Sequence, residues 1–302
     1  MKATVVVSCY KQESYIGECL DSILAQDVDF DFDILISDDA SPDSTPNILK
    51  VYASNYPDKI RLILRSQNVG AARNYIELHN QAEGEVIFHF DGDDVMLPGK
   101  LQKQYDLFNK YPDLNLVFHR ARYFSDDGSY VAETGSPPNL ENGMMFFGVQ
   151  DLALWGSITV HSSYAYRRTS RKTRNLNREF MEWFFAMDSL APHGRAAYLD
   201  EILVKYRSNP NGGSYLGTTA GKIKSYNIYF RDVAHYYKNL VPLRRELYAN
   251  FLFTALAMAK AGCGSSGYAL KFIARNILNL RVGLLIEVFR MRKTVAPERK
   301  VG

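Results

Sequence analysis

Glu85-Val-Ile-Phe-His-Phe-Asp-Gly-Asp-Asp94 decides the fold. Residues 85–90 are a short strand of apolar and aromatic side chains, and the strand runs straight into three carboxylates around one glycine. The same grammar recurs on either side. Residues 3–8 form a wholly apolar, β-branched run, the mark of a strand covered on both faces. Residues 13–26 place Ile16, Leu20, Ile23 and Leu24 at helical spacing. A strand at 32–37 stops in Asp38-Asp-Ala-Ser-Pro-Asp43. A helix follows at 45–56, with Pro46 in its first turn, where proline is tolerated. Then come a strand at 60–64, a helix at 68–82 and, beyond the opening stretch, a helix at 100–111 and a fifth strand at 114–119. This order predicts an α/β fold, a mostly parallel sheet flanked by helices. Ligands in such sheets lie beyond the carboxyl ends of the strands. Ser8-Cys-Tyr10, Asp38-Asp39 and Asp91-Gly-Asp-Asp94 all fall there.

After residue 120 the pattern loosens. Residues 125–145 have the composition of a loop or hairpin insertion. A helix is expected at 178–190, a strand at 197–206 and a Gly/Asn/Ser-rich loop at 208–219. From 221 onward the chain reads as helices, with breaks near Pro242, at 262–267 and at Gly283. The chain has 302 residues, 46% hydrophobic and 23% charged. That composition excludes disorder, a collagen and a disulfide scaffold. Net charge is +3, yet residues 222–302 hold 15 Lys/Arg against four acids, and residues 1–221 carry −8. Such a basic tail calls for an anionic partner, a membrane surface or nucleic acid. Cys9, Cys19 and Cys263 lack metal or disulfide spacing, so a reducing cytoplasm is expected. No apolar run approaches ~18 residues, so no membrane span is expected.

Two carboxylates across a glycine suit Mg²⁺ or Mn²⁺, which take oxygen ligands and leave room for phosphate oxygens. Taken alone, the motif is equally an acidic turn or a helix N-cap. Its company is more specific. Val5-Val-Val-Ser-Cys-Tyr-Lys11, Cys19-Leu-Asp-Ser-Ile-Leu-Ala-Gln26, Ile36-Ser-Asp-Asp-Ala-Ser-Pro-Asp43, Asn68-Val-Gly70 with Asn74, and Pro98-Gly-Lys100 occur in order around it. The set resembles glycosyltransferase family 2, inverting enzymes of the GT-A fold, over residues 3–125 and more weakly over 160–210. The resemblance implies a catalytic domain at 1–220, with a nucleotide-sugar half (1–120) and an acceptor half (121–220), followed by a basic helical region (221–302). Ser8 and Tyr10 would line the base pocket. Asp38 or Asp39 would take the imide of uracil or thymine, and Asp91 would approach the ribose. Asp93, with Asp91 as a further candidate, would ligate the metal. Arg207, ending a Tyr-Arg strand, would lie near the diphosphate. Arg73 is a candidate contact to aspartate or phosphate and equally a helix-surface arginine. Gly92 departs from relatives that carry a larger residue there.

An inverting transfer needs one base and no covalent intermediate. By the same resemblance Phe180-Met-Glu-Trp-Phe-Phe185 places that base at Glu182, with Asp188 and Glu179 as fallbacks. His161 could face the acceptor but is more simply a core histidine, and Lys100 is more simply packing or a solvated charge. The glycines of 209–217 fit a mobile lid and equally a plain surface connection. The expected donor is a UDP- or dTDP-sugar. The expected acceptor is a saccharide, lipid-linked, in surface polysaccharide synthesis. The apolar and basic residues of 268–293 could meet an anionic membrane on its inner face, or be a helical cap or oligomer contact with a solvated basic face. Two other readings stand beside this one. A nucleotidyltransferase would need a glycine-rich basic loop after the first strand, and Ser8-Cys-Tyr-Lys-Gln-Glu13 has none. A nucleic-acid-binding protein would use the basic tail, but it leaves the aspartates unexplained, so no nucleic acid is expected.

Overall fold

The computed structural model describes residues 2–208, 218–264 and 266–298. The apolar first strand, β1 (Ala3–Cys9), is central, and its alternating side chains enter two different cores. Val6 joins one, while Val5, Val7 and Cys9 join the other. It pairs in parallel with β2 (Phe32–Asp38) after α1 (Ile16–Leu24). β3 (Ile60–Leu64) extends β2 after α2 (Thr45–Asn55), and β4 (Val86–Asp91) pairs with the other edge of β1 after α3 (Ala71–Gln81). Gly84 makes this last crossing. A Cβ there would lie 2.5 Å from the backbone nitrogen of Thr4.

Beyond β4 follow β5 (Val95–Met96), α4 (Lys100–Lys110), β6 (Leu114–Phe124), β7 (Tyr130–Thr134), β8 (Met144–Gly148), α5 (Val149–Trp155), β9 (Ala165–Arg167), α6 (Glu182–Leu190) and β10 (Arg195–Arg207). The parallel order holds for β3–β2–β1–β4. On the far side β9 inserts antiparallel between β4 and β6, and β10 runs parallel to β6 but antiparallel to β5 and β8. A hairpin-length link joins the antiparallel pair β6–β7, whereas β9 and β10 reach their antiparallel neighbours through long connections. Residues 125–145 thus form a hairpin with the extended end of β6 and lead into β8.

Two helices start later than their periodicity indicates. In α3 the amides of Val69 and Gly70 bond to Asp39, and Gly70 has φ +87°, so the helix begins at Ala71. In α6 the Asp232 carboxylate takes the Met181 amide at 2.7 Å and pairs with Arg178 at 2.5 Å. That holds the lead-in extended, and the helix starts at Glu182 rather than 178.

The C-terminal region is helical as expected: α7 (Thr219–Asn239), α8 (Arg244–Lys260), α9 (Gly267–Arg275) and α10 (Val282–Val295), closed by β11 (Pro297–Glu298) on β7. One apolar core runs from Val6 and Phe118 through Trp183 and Phe230 to Val288 and Met291. The late break falls at 276–281, not at Gly283, which lies inside α10. Asn276 accepts from the Tyr237 hydroxyl (2.9 Å) and Asn279 donates to it (2.7 Å), pinning the turn there. All three cysteines are buried, and burial with nearby carboxylates pushes the Cys9 and Cys19 thiols up. Among the described residues no helix is long and apolar enough to cross a membrane. Residues 209–217, read as a lid, lie outside the described residues.

Candidate active site

Strand register brings the polar ends together. Ser8 stands opposite Ser37 on one side and Asp91 on the other, and Cys9 stands opposite Asp38. Asp38 accepts from the Ser41 amide (2.9 Å) and hydroxyl (2.5 Å). Asp39 accepts from the amides of Val69 (2.8 Å) and Gly70 (2.9 Å). Both are buried, and Tyr10 beside them is exposed. Arg73 lies on the outer surface of α3, paired with Glu77. The inward arginine is Arg65, passed over in the sequence. Its guanidinium bonds Asn74 (2.7 Å) and Glu77 (2.6 Å) and reaches Asp39 at 4.0 Å.

β4 delivers the carboxylates. Alternation puts His89 and Asp91 on one face, and His89 Nε2 lies 3.1 Å from Asp91 Oδ1. His89 Nδ1 lies 2.9 Å from His79 Nε2, and His79 Nδ1 lies 2.6 Å from the Tyr166 hydroxyl. Ionised Asp91 can only accept, so His89 donates its Nε2 proton to it, and His79 and Tyr166 continue the chain of contacts behind. Burial, aided by Arg171, pushes His79 well down, which keeps it neutral. Burial works to raise the Asp91 carboxyl, but His89, His161 and Ser162 outweigh it and bring it to about 2. His161 stacks on His89 with ring centres 3.7 Å apart. His89, Asp91 and His161 are close enough to consider as a metal trio. Near-parallel stacking, however, sets the two in-plane lone pairs side by side rather than toward one point. His161 is partly buried, with its ring packed on His89 and its Nε2 without a hydrogen-bond partner.

Asp93 is different. Burial and the neighbouring Asp91 raise it to about 6, and burial with Asp93 and Asp91 raises Asp94 as well. Asp94 Oδ1 accepts the Arg207 amide at 2.9 Å, while its buried Oδ2 has no partner. Clustered, mutually repelling carboxylates with an orphaned oxygen fit a divalent cation that prefers oxygen ligands. Arg207 braces this turn. Its Nε donates to the Asp93 carbonyl (2.8 Å), its Nη2 to Glu18 (2.7 Å), and its plane lies over Tyr15 and Phe124. At Gly92 a Cβ would meet the end of the flexible Gln12 side chain at 2.3 Å and Cys9 Cβ at 3.2 Å, so a larger residue there needs Gln12 to move. Lys100 is packing, not a solvated charge. It is fully buried over Phe88 and Phe90, bonds Gln104 at 2.8 Å, and burial lowers it to about 7.

Glu182 opens α6. Burial raises its carboxyl to about 7, and Asp91 and Asp232 push in the same direction. It lies near enough to Asp91, Tyr75, Tyr164 and Tyr206 for its charge to act on them. The fallbacks sit elsewhere. Asp188 is committed to the Lys172 amide (2.7 Å) and to the amide and hydroxyl of Thr173 (2.8 and 2.7 Å). Glu179 is at the surface, paired with Lys224 at 2.5 Å. A cleft of about 730 Å³ runs beside Glu179, lined by Gly70, Arg73, Glu77, Asn175 and Asn177. Asp232, which sets the entry of α6, was invisible in the sequence because it acts from a helix fifty residues away.

The family model described as Glycosyl transferase family 2 matches residues 4–174. The chain belongs to glycosyltransferase family 2. Among its relatives, an uncharacterised protein of Mycobacterium tuberculosis (strain H37Rv) is 32% identical over 210 residues, 69% of this chain and 59% of that protein. The putative glycosyltransferase EpsE of Bacillus subtilis is 32% identical over 58% of this chain and 63% of its own. The minor teichoic acid biosynthesis protein GgaA of B. subtilis is 31% identical over 38% of this chain and 26% of its own. The chain therefore spans about 59% of the length of the first of these relatives. S. aureus TarS 1–349 in complex with UDP-GlcNAc superposes with TM-score 0.62 at 17% identity, covering 98% of this chain and 82% of that one. A Pyrobaculum calidifontis mannosyltransferase in complex with GDP-Man and Mn²⁺ gives TM-score 0.57 at 18% identity, covering 97% and 84%. The family 2 chain thus has the GT-A type of fold, a sheet flanked by helices with a helical C-terminal region.

Proposed function

We propose that this glycosyltransferase is metal-dependent and inverting, and that it moves a hexose from a UDP- or dTDP-sugar to a saccharide acceptor, lipid-linked, in surface polysaccharide assembly. The observation that carries the reading is the contrast between two carboxylates. Asp91 is held low by its hydrogen bond to His89 and by Ser162, while Glu182 at the start of α6 is lifted to about 7 by burial. Environments that push carboxylates apart assign different roles to them. Glu182 would take the proton from the acceptor hydroxyl as that oxygen bonds to the anomeric carbon. The bond from that carbon to the diphosphate breaks on the opposite side, and the nucleoside diphosphate leaves. Asp93, with Asp91 beside it, would hold Mn²⁺ or Mg²⁺. When bound, that ion neutralises charge developing on the diphosphate. The base would lie against Tyr10 and Ser8, with its imide edge toward the Asp38–Asp39 turn. The cleft at Asn175 and Asn177 offers amides suited to the hydroxyls of an acceptor sugar. The mannosyltransferase neighbour holds GDP-Man with Mn²⁺, and TarS holds UDP-GlcNAc. Screening UDP-, dTDP- and GDP-linked sugars for transfer, with and without Mn²⁺, identifies the donor. The decisive variant is Glu182→Gln. It should lower kcat by about 10²–10⁴-fold, the usual worth of a general base, with nucleotide binding unchanged by thermal shift. Transfer at the parent rate would remove Glu182 as the base.

A further inference from the structure

We propose that the outer face of α9, the 276–281 turn and α10 seats this protein on the surface of an anionic lipid bilayer. The helix α10 has two apolar stripes. Val288, Met291 and Val295 face inward and are buried. Val282, Ile286 and Phe289, spaced by four and three residues, face outward and are 65%, 47% and 56% exposed. The turn ahead of the helix is exposed as well. Leu278 is 88% exposed, more than any other large apolar side chain described, and Ile277 beside it is also exposed. Arg281 fixes this tip by donating to the carbonyls of Leu278 (3.1 Å) and Leu280 (2.7 Å). Tyr268 and Leu270 on α9 add to the exposed apolar surface. The inward stripe fulfils what folding asks of an amphipathic helix, so the outward one needs another explanation.

Charge selects the occupant. Lys271, Arg275, Arg281, Arg290 and Lys293 are all exposed among these apolar residues. The one acid between 267 and 296, Glu287, accepts a hydrogen bond from Trp155 Nε1 at 3.3 Å. Pairing the face with a second copy of itself would juxtapose these cations, which is costly. An anionic bilayer takes both components at once. Apolar side chains enter the acyl boundary while lysine and arginine stay among the headgroups. Phosphatidylglycerol supplies the negative charge as a surface, not as a single bound phosphate. The inference does not depend on which sugar is transferred.

Flotation of the full chain with phosphatidylcholine vesicles, with and without phosphatidylglycerol, tests it. Binding is expected only with the anionic lipid, and it should fall as salt rises. Lys271→Glu, Arg290→Glu and Lys293→Glu together should weaken partitioning by at least about a hundredfold, taking roughly a fivefold step per cation near the surface. Leu278→Asp with Phe289→Asp should weaken it too. All five positions are exposed, and unchanged circular dichroism and nucleotide binding would show that fold and site persist. Three results overturn the proposal: no flotation with anionic vesicles at low salt, undiminished flotation of both variants, or a dimer in sedimentation that Leu278→Asp with Phe289→Asp dissolves.

Discussion

Glu182 opens α6 and Asp188 sits near its end, and their surroundings give them separate duties. Asp188 ties down residues 172–173 through three hydrogen bonds, whereas burial, Asp91 and Asp232 lift Glu182 to about 7. A base works only when ionised, so kcat/KM should rise with pH through about 7, and Glu182→Gln should lack that rise. Stability has the opposite sign. The folded carboxyl keeps a proton that the unfolded one has lost, so stability falls as pH rises from the ordinary glutamate range to about 7. Chemical denaturation across that range should show the decline in the parent and a flatter profile in Glu182→Gln. Asp93 is raised by burial and by Asp91, a clash that a cation would relieve. Asp93→Asn should therefore nearly abolish the metal-dependent part of nucleotide binding, measured by calorimetry with and without Mn²⁺, while the protein stays at least as stable. The aspartates were legible as motifs, and their partners were not. Nothing near Arg65 marks it as the inward arginine in place of Arg73. That depends on which face of α3 meets the sheet.

β4 shows what an element adds to its residues. Period-two alternation already places His89 on the Asp91 side of the strand. It does not reveal that α3 supplies His79 and β9 supplies Tyr166, because those meet β4 only through the crossover and the antiparallel insertion. The chain of hydrogen bonds binds three elements behind Asp91. His79→Phe should leave His89 Nδ1 and the Tyr166 hydroxyl without this partner and cost about 1–3 kcal/mol, the usual penalty for an unsatisfied buried polar group. Urea unfolding measures that cost, and His79→Gln, which keeps a polar side chain, should recover part of it. The strands of the first half were readable because each is a clean apolar run bounded by turn residues. β7 and β9 were not, being short and antiparallel in a stretch with turn composition. Helix starts were misread where a distant carboxylate, Asp39 or Asp232, takes the amides that would have begun the helix.

Across the whole molecule, the core that begins under the sheet ends in α10, so the basic helices pack onto the sheet and α6 rather than trail from them. Met291 is buried in that core and belongs to the last helix. Met291→Ala should cost about 2–5 kcal/mol, and one transition should be seen whether unfolding is followed by tryptophan fluorescence, which reports Trp155 and Trp183, or by circular dichroism. The charge split along the sequence foreshadowed an unusual C-terminal surface, but composition did not show that one helix would carry both an inward and an outward apolar stripe. The buried cysteines have a practical consequence. Cys9 ends β1 next to Asp38, and Cys19 lies beneath the Asp91 carbonyl, so neither thiol can react until the donor end of the sheet parts. A thiol reagent then becomes a clock for that opening. Its labelling rate counts how often the strand ends separate, and nucleotide with Mn²⁺ should slow the count at Cys9 and Cys19 while leaving Cys263 at its own pace.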